Sequence, residues 1–283
     1  MPTVRDLLAE ARLRLSAAPF APSRREAALL LGHVLGLSEA QVIARSEREV
    51  EPAAAARFVE LLARRLTGEP VSYLFGEREF YGRTFEVDRR VLIPRPETEH
   101  VVEEALKTPL PPAPWILDVG AGSGILAVTL ALEIPGARTV TTDVSPGALA
   151  VAAGNARRLG AGERVLPVGA DLARGLDLGR FDLVVSNPPY IDPADAVTLS
   201  PEVCNFEPHL ALFAPGSTGA GDSILARLFG ELRTLRSGVR LILEIGFGQL
   251  DVARRHAESS GWIFLGVRAD YAGIPRVMTL QRP

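Results

Sequence analysis

The chain has 283 residues, 47% hydrophobic and 23% charged, with a formal net charge of −3. This composition is typical of a soluble globular protein with one or two domains, and the basic excess usual in proteins that bind duplex nucleic acid is missing. A single cysteine excludes an internal disulfide, the four histidines lack metal-ligand spacing, and no stretch resembles a signal core or membrane span, so we expect a cytoplasmic protein without metal or membrane.

Residues 2 to about 70 have apolar positions at helical spacing. Four or five short helices are predicted, with Ser23 capping the second helix and Gly36 ending it. The apolar faces of the first two helices are Leu7, Leu8, Ala11 and Leu15, and then Ala27, Leu30, Leu31, Val34 and Leu35. We therefore predict a small helical domain over residues 1–72.

Aromatic and glycine residues follow in the stretches 70–76 and 79–87, and they predict a β-hairpin, assigned to a linker over residues 73–92. The prolines of the stretch 93–99 are suited to start a helix, and Glu97 and Glu99 favour its positive end. This helix is predicted to run to about Lys107, before a proline-rich linker at 109–114.

From Trp115 the pattern alternates strand and helix, which defines a domain over residues 93–283. Strands are predicted at 115–119, 139–142, 165–168, 181–186 and 239–245, and helices at 125–133, 145–159, 222–236 and 248–260. The last two strands, 262–267 and 276–281, are too close for an intervening helix and should pair antiparallel. The fold class is therefore α/β, a mostly parallel sheet that ends in an antiparallel hairpin.

The first of these strands runs into a glycine-rich loop composed of Gly120, Ala121, Gly122, Ser123 and Gly124. Such a loop lets the backbone approach a ligand closely, but Ile125 occupies a position that the dinucleotide fingerprint reserves for glycine, and the Walker lysine is missing.

Asp143 ends the second strand, where it can accept hydrogen bonds from both hydroxyls of a ribose. The alternative role for Asp143 is to cap the next helix, which Ser145 can do instead. A nucleoside without a pyrophosphate fits, and S-adenosylmethionine is the obvious one.

The strand 181–186 stops at Asn187, Pro188, Pro189 and Tyr190. Proline fixes φ and lacks a backbone donor, so the two prolines hold the chain rigid as it leaves the sheet. The Asn187 carboxamide and the Tyr190 ring are then directed into the cleft where open α/β sheets bind ligands. A proline-rich turn in which Asn187 caps its own backbone is the alternative.

The glycine loop, Asp143 and the sequence Asn-Pro-Pro-Tyr, in this order, resemble class I methyltransferases that act on a planar nitrogen. The resemblance implies a Rossmann-like sheet, with the loop, Asp143, Asp171, Leu172 and Asn187 binding S-adenosylmethionine and releasing S-adenosylhomocysteine. Leu172 stands where family members often have an aromatic residue. The resemblance also implies that Asn187 and the Pro188 carbonyl accept hydrogen bonds from the target NH₂ group, while Tyr190 packs on the planar group. Asn187, Pro188, Pro189 and Tyr190 are thereby assigned to catalysis and substrate binding.

The stretches 70–81, 93–99 and 206–208 are similar to the peptide release factor glutamine methyltransferases (the PrmC/HemK family) over nearly the whole chain. This resemblance implies N5-methylation of the glutamine in the Gly-Gly-Gln loop of class-I release factors. It also implies a helical N-terminal domain that docks this protein substrate. We expect a monomer that binds no nucleic acid stably.

Two other functions remain open from the sequence. One is an adenine-N6 or guanine-N2 methyltransferase acting on DNA or RNA, and the other is a binding module that keeps a nucleoside pocket without catalysis.

The segment 191–221 is long for a connection between a strand and a helix, so it is predicted to be a lid over the substrate, or else a surface loop without a function. Glu207 within it is assigned a structural role.

Overall fold

The computed structural model describes residues 1–18, 20, 22, 25–214 and 222–283. They form two compact units. Unit 1 comprises Met1–Gly76 with Leu199–Phe206, and unit 2 comprises Glu77–Thr198 with Glu207–Pro283. The predicted boundaries of the helical domain, linker and catalytic domain stay predictions.

Unit 1 is helical. Its helices are α1 (Val4–Ser16), α2 (Glu26–Leu35), α3 (Glu39–Ala44), α4 (Pro52–Leu66), α5 (Val71–Phe75) and, from the returning segment, α9 (Pro201–Phe206). Thr3 and Asp6 form a capping box at the start of α1, and Gly36 ends α2 with a φ of 65°, as predicted. The predicted cap Ser23 lies outside the described residues. The predicted apolar face of α1 is buried in the core of this unit, together with Phe58 and Leu62 from α4.

The stretch 71–75, predicted as part of a β-hairpin, is instead the helix α5. Its Leu74 is buried in the helical core, and Gly76 ends the helix with a φ of 73°. Burial in that core outweighs the strand preference of the aromatic residues. The hairpin itself is present farther along the chain, as β1 (Glu77–Phe80) and β2 (Arg83–Glu86) in unit 2.

Unit 2 contains a seven-stranded sheet with helices on both faces. Its strands are β3 (Trp115–Val119), β4 (Arg138–Asp143), β5 (Val165–Gly169), β6 (Leu183–Ser186), β7 (Arg240–Glu244), β8 (Ile263–Ala269) and β9 (Pro275–Gln281). Its helices are α6 (Glu99–Leu106), α7 (Ile125–Glu133), α8 (Pro146–Arg158), α10 (His209–Leu212), α11 (Ser223–Glu231) and α12 (Leu250–Ser259). Short 3₁₀ helices lie at Pro96–Thr98, Leu178–Arg180, Pro193–Thr198 and Leu232–Thr234.

The strand order is β5-β4-β3-β6-β7-β9-β8, with β3 to β7 parallel and β9 antiparallel to both of its neighbours. The predicted mostly parallel sheet with a terminal antiparallel hairpin is confirmed. The chain moves outward from β3 to β5 and then returns to the other side of β3 at β6. Ligands bind at such a switch point, outside the carboxyl ends of the strands.

Alternate residues of the central strands enter different cores. Leu117 and Val184 pack with the cluster that contains Phe229 of α11, whereas Ile116 and Leu183 pack with the cluster that contains Leu130 of α7. A strand that is buried on both faces has apolar residues at successive positions, as β6 does, because neither of its faces is exposed to solvent. Because helices cover both faces of the sheet, a ligand-binding site is expected at the carboxyl ends of the strands.

The long segment after β6 carries the 3₁₀ helix Pro193–Thr198, α9 and α10, and its residues 215–221 lie outside the described part. The role of this segment as a lid stays a prediction. No helix among the described residues is long and apolar enough to cross a membrane.

Candidate active site

A cavity of about 370 Å³ lies at the carboxyl ends of β3, β4, β5 and β6 in unit 2. This volume is in the range that small-molecule ligands occupy. Its lining residues come from the stretches 90–98, 119–126, 142–148, 170–172, 187–189 and 208–213, together with Ile224 and Arg227. Most of the residues predicted for the site are therefore brought together around one cavity.

The glycine-rich loop is attached to the end of β4. The backbone N–H groups of Gly120 and Ala121 both donate to the Thr142 carbonyl, at 2.9 and 2.7 Å. Gly120, Ala121, Gly122 and Ser123 line the cavity.

Gly124 is the member of the loop that does not line the cavity. Its φ is +83°, and a Cβ at this position would lie 3.0 Å from the Cβ of Ala152 on α8. The glycine is therefore required where α7 begins against α8, and it sets the course of the loop.

Asp143 lines the cavity at the end of β4. Its Oδ2 accepts from the Gly122 N–H at 3.1 Å, and its Oδ1 accepts from the Ser145 N–H at 2.9 Å. Ser145 caps α8 by accepting from the Ala148 N–H, so Asp143 is not the helix cap. Each carboxylate oxygen has a second lone pair, and Asp143 can still accept from two hydroxyls.

Asp171 and Leu172 line the cavity beyond β5. Asp171 forms an ion pair with Arg227 at 2.5 Å, and Arg227 is itself in the cavity wall. Leu172 has a φ of +55°, which is uncommon for a residue other than glycine, and its side chain packs against the core beneath the site. Backbone held in this region often marks a functional site.

Asn187, Pro188 and Pro189 lie in the cavity wall directly after β6. The end of β6 is fastened to β3 by the Ser186 hydroxyl, which donates to the Val119 carbonyl at 2.7 Å. The Asn187 Nδ2 donates to Thr98 Oγ1 at 3.1 Å. This bond uses one of the two N–H groups of the carboxamide, and Asn187 Oδ1 is the acceptor that this side chain can offer to a ligand.

Tyr190 is not among the residues that line the cavity. Its ring packs on Gly246, where a Cβ would lie 2.7 Å from Tyr190 Cδ2. Gln249 donates from Nε2 to the Tyr190 carbonyl and accepts at Oε1 from the Gly246 N–H, both at 2.8 Å. The structure thus places Tyr190 behind the Asn-Pro-Pro segment rather than in the cleft.

Glu207 connects the later part of the long segment after β6 to the stretch 93–95, in which Arg95 lines the cavity. Its Oε2 accepts from the Ile93 N–H at 3.1 Å, and its Oε1 accepts from the Arg95 guanidinium at 2.6 Å. Glu207 is buried and does not itself line the cavity, which agrees with the structural role assigned to it.

Sequence reasoning missed Thr98, Glu244 and Gln249. Thr98 lies in the proline-rich stretch 93–99, which was noted for its resemblance to a family and not for a side chain. Glu244 ends the apolar strand β7 while remaining 2% exposed, and a carboxylate at the end of a buried strand is a signal that could have been found.

Asp118 is a second buried carboxylate, on β3 below the glycine loop. Burial raises its pKa to about 8, against the lowering effect of a hydrogen bond from Thr141 and with a further rise from the charge of Asp143. The unfolded carboxyl ionises near pH 4, so between about pH 4 and pH 8 the folded state holds a proton that the unfolded state has lost. Stability is therefore greatest at the acidic end of this range and falls as the pH rises.

We expect Asp118 to lower the free energy of unfolding by up to about 1.4 kcal/mol for each unit by which the pH rises. The substitution Asp118→Asn should remove this contribution to the slope. Glu244, whose pKa burial raises to about 7, contributes to the slope below about pH 7 in both proteins. Denaturant unfolding of both proteins at pH 5, 6, 7 and 8 measures the slopes. An unchanged slope in Asp118→Asn would show that Asp118 is ionised in the folded protein.

Comparison with known proteins gives two family matches. Residues 6–76 match the PrmC N-terminal domain, and residues 100–202 match the methyltransferase small domain. Among curated relatives, the release factor glutamine methyltransferase of Nitratidesulfovibrio vulgaris is 41% identical over 283 residues, covering 99% of this chain and 95% of the relative. The release factor glutamine methyltransferase of Bordetella pertussis is 42% identical over 280 residues, covering 98% of each chain.

Solved structures give the same fold at low identity. A methyltransferase from Pyrococcus furiosus superposes with a TM-score of 0.54 at 16% identity, covering 78% of this chain and 96% of its own. A 16S rRNA N2 G1207 methyltransferase of T. thermophilus, solved with AdoMet and guanosine, has a TM-score of 0.50 at 17% identity and covers 73% of this chain and 50% of its own. At these identities the likeness concerns the fold alone.

Proposed function

The chain belongs to the release factor glutamine methyltransferase family, and we propose that it transfers a methyl group from S-adenosylmethionine to the glutamine N5 of the Gly-Gly-Gln loop in class-I release factors. The relatives' identity over nearly the full length supports the reaction. The observation that carries the proposal is that Asn187 and Pro188 line the same cavity as Asp143 and the glycine loop. An amide acceptor and a nucleoside site are thereby combined in one cleft.

The residues on the sheet side of the cavity fit S-adenosylmethionine. The glycine loop exposes backbone to the cavity, and Asp143 has lone pairs free for two ribose hydroxyls. Leu172 offers an aliphatic surface and Asp171 a polar atom for the adenine, beyond β5. When bound, the cofactor supplies a sulfonium methyl group as the electrophile.

Asn187 and Pro188 would hold the target amide. The Asn187 Oδ1 and the Pro188 carbonyl each accept one N–H of the glutamine NH₂ group. Hydrogen bonds to both N–H groups pull the nitrogen lone pair out of conjugation with the carbonyl, which favours attack on the methyl group in the transition state. The amide nitrogen would gain the methyl group as the methyl–sulfur bond breaks, which leaves S-adenosylhomocysteine, and would lose one proton to water. Tyr190 supports this segment through its packing on Gly246.

The proposed function is tested by offering a class-I release factor, DNA and RNA in parallel with labelled S-adenosylmethionine. We expect label in the release factor only, and none in a release factor whose Gly-Gly-Gln glutamine is replaced by alanine. Label in a nucleic acid alone would favour the adenine or guanine methyltransferase. Cofactor binding with no transfer to any of the three would favour a binding module.

Asp143→Ala should weaken S-adenosylmethionine binding, because it removes the acceptors of the ribose hydroxyls and releases the Gly122 N–H. Hydrogen bonds to a charged group contribute about 1.5–3 kcal/mol, so the dissociation constant should rise roughly 10- to 150-fold by calorimetry. Asp251→Ala, which changes an exposed carboxylate on α12, is the control and should bind as wild type. An unchanged affinity in Asp143→Ala would contradict the ribose assignment.

The helical unit 1 is proposed to dock the protein substrate, supported by the match of residues 6–76 to the PrmC N-terminal domain. A chain that begins at Glu77 keeps every residue that lines the cavity and should bind S-adenosylmethionine with wild-type affinity. Its kcat/KM on folded release factor should fall at least about tenfold, the equivalent of ~1.4 kcal/mol of docking energy, while a short Gly-Gly-Gln peptide should react as before. Equal losses on both substrates would mean that unit 1 does not dock the release factor.

A further inference from the structure

The proposed reaction requires the oxygen of the Asn187 carboxamide, and not its NH₂ group, to face the target amide. The two ends of a carboxamide have nearly the same shape, and the terminal torsion of asparagine is broad and roughly two-fold. An NH₂ group turned into the cavity would present donors to the donors of the substrate. Some contact in the protein must therefore select one orientation.

Thr98 makes that contact. Its Oγ1 lies 3.1 Å from Asn187 Nδ2, and it is 1% exposed at the end of the 3₁₀ turn Pro96–Thr98. A hydroxyl can donate one hydrogen bond and accept two, so Thr98 alone could hold either end of the carboxamide. The direction of the hydroxyl proton decides which end is held.

Glu244 sets the direction of that proton. Its carboxyl is 2% exposed at the end of β7, where Leu243 pairs with Ser186, so Glu244 lies beside the end of β6. A hydrogen bond from Thr98 lowers the pKa of Glu244 against the rise that burial causes. When Glu244 is ionised its carboxylate can only accept, so the Thr98 proton points toward Glu244 and the Thr98 lone pairs toward Asn187. Glu244 does not line the cavity, whereas Thr98 does and links Glu244 to Asn187.

We propose that Glu244 and Thr98 are positioning residues that hold the Asn187 carboxamide with its oxygen toward the target amide. The hydrogen bonds run in one direction, from the Asn187 NH₂ group to Thr98 and from Thr98 to Glu244. This inference rests on the proposed function, because it assigns a purpose to the orientation that glutamine methylation needs. It adds two residues, distant in sequence, to the machinery of the Asn-Pro-Pro-Tyr segment.

A double-mutant cycle tests whether Thr98 acts through Asn187. Thr98→Val keeps the shape but removes the acceptor, and we expect kcat on the release factor to fall about tenfold, the loss of one ordinary hydrogen bond. KM and the S-adenosylmethionine dissociation constant should change less than about twofold, and Thr98→Ser should restore the wild-type rate. In an Asn187→Ala background, Thr98→Val should have no further effect. The same tenfold loss in both backgrounds would overturn the proposal.

The second test needs no release factor, so it can fail independently of the proposed function. In wild type, the side-chain ¹⁵N–¹H₂ resonances of Asn187, identified by their loss in Asn187→Ala, should shift with pH around the ionisation of Glu244. Burial raises the pKa of Glu244 to about 7. Below that pH the protonated carboxyl can donate to Thr98, whose proton is then free to turn toward Asn187. The oxygen-inward orientation is therefore lost as the pH falls through about 7.

The charged and titratable groups around Glu244 are Glu97, Arg95, Arg276 and the Tyr190 phenol. Tyr190 has a pKa of about 12 and does not titrate in this range. Glu244→Gln should abolish the shift near pH 7, and the matched Glu97→Gln should retain it. A shift that survives in Glu244→Gln, or one that is missing in wild type, would overturn the proposal. If the parallel substrate assay failed while the shift was present in wild type and absent in Glu244→Gln, the proposed function would be wrong and the orientation of Asn187 by Thr98 and Glu244 would be supported.

Discussion

Replacing Asn187 by alanine is expected to reduce methyl transfer by about 10²–10³ while cofactor affinity changes little. The loss of one preorganised hydrogen-bonding group in a comparable electrostatic site has a cost of this order. The glycine loop and Asp143 are held by the Thr142 carbonyl and by the backbone of Gly122 and Ser145, so the substitution leaves them in place. Asn187 would then act on the target amide and not on the cofactor.

The measurements are the single-turnover rate, the S-adenosylmethionine dissociation constant and the melting temperature, all on one preparation. Asn205→Ala, an exposed asparagine on α9, is the matched control and should retain wild-type values. If Asn187 only capped its turn, the variant would lose thermal stability and cofactor binding together while turnover per folded molecule survived. That pattern would show the proposed mechanism to be wrong.

Arg65→Met is expected to produce the largest loss of stability, in unit 1. Arg65 is 2% exposed, and its guanidinium donates to Glu26 at 2.7 Å and to Glu202 on α9. Its Cζ also lies 4.1 Å from the centre of the Phe20 ring. Removing one partner of a buried ion pair leaves an uncompensated charge and costs about 3–5 kcal/mol.

Denaturant unfolding followed by circular dichroism measures this loss. Arg57→Met on the same helix, α4, is the control, because Arg57 is exposed and its substitution should change the free energy of unfolding by less than about 0.5 kcal/mol. Equal changes in the two variants would mean that the buried guanidinium contributes no more than a surface one. A large fraction of the stability of a small domain, typically about 5–15 kcal/mol, depends on this one residue if the prediction holds.

The local pattern of the chain was enough to predict the elements of the sheet domain. The helix predicted at 125–133 has those bounds in the structure, because three glycines precede it and its apolar residues have helical spacing. The run 181–185 predicted a buried strand, which the structure has at Leu183–Ser186, and the prolines after it predicted where the strand stops. These signals are local, so they can be recognised without knowing which residues pack against these elements in the folded chain.

The position of the site at the carboxyl edge, and most of its lining, also followed from the sequence. Parallel strands connected by helices end at one edge, which brings Gly122, Asp143 and Asn187 together whatever the details of packing. The motifs that resemble a family then named the chemistry, and the relatives confirmed the family.

Tertiary packing decided what local pattern could not. The stretch 71–75 is a helix because Leu74 has a helical core to enter, and 199–206 belongs to unit 1 although unit 2 flanks it on both sides. Tyr190 lies behind the Asn-Pro-Pro segment because Gly246 leaves room for its ring. Thr98, which is 89 residues from Asn187, meets that residue only in the folded chain. The sequence determines which side chains are available and on which helix, strand or loop each one lies. Long-range contacts determine which of these side chains are buried together and hydrogen-bonded to each other, because those neighbours are distant in the order of residues.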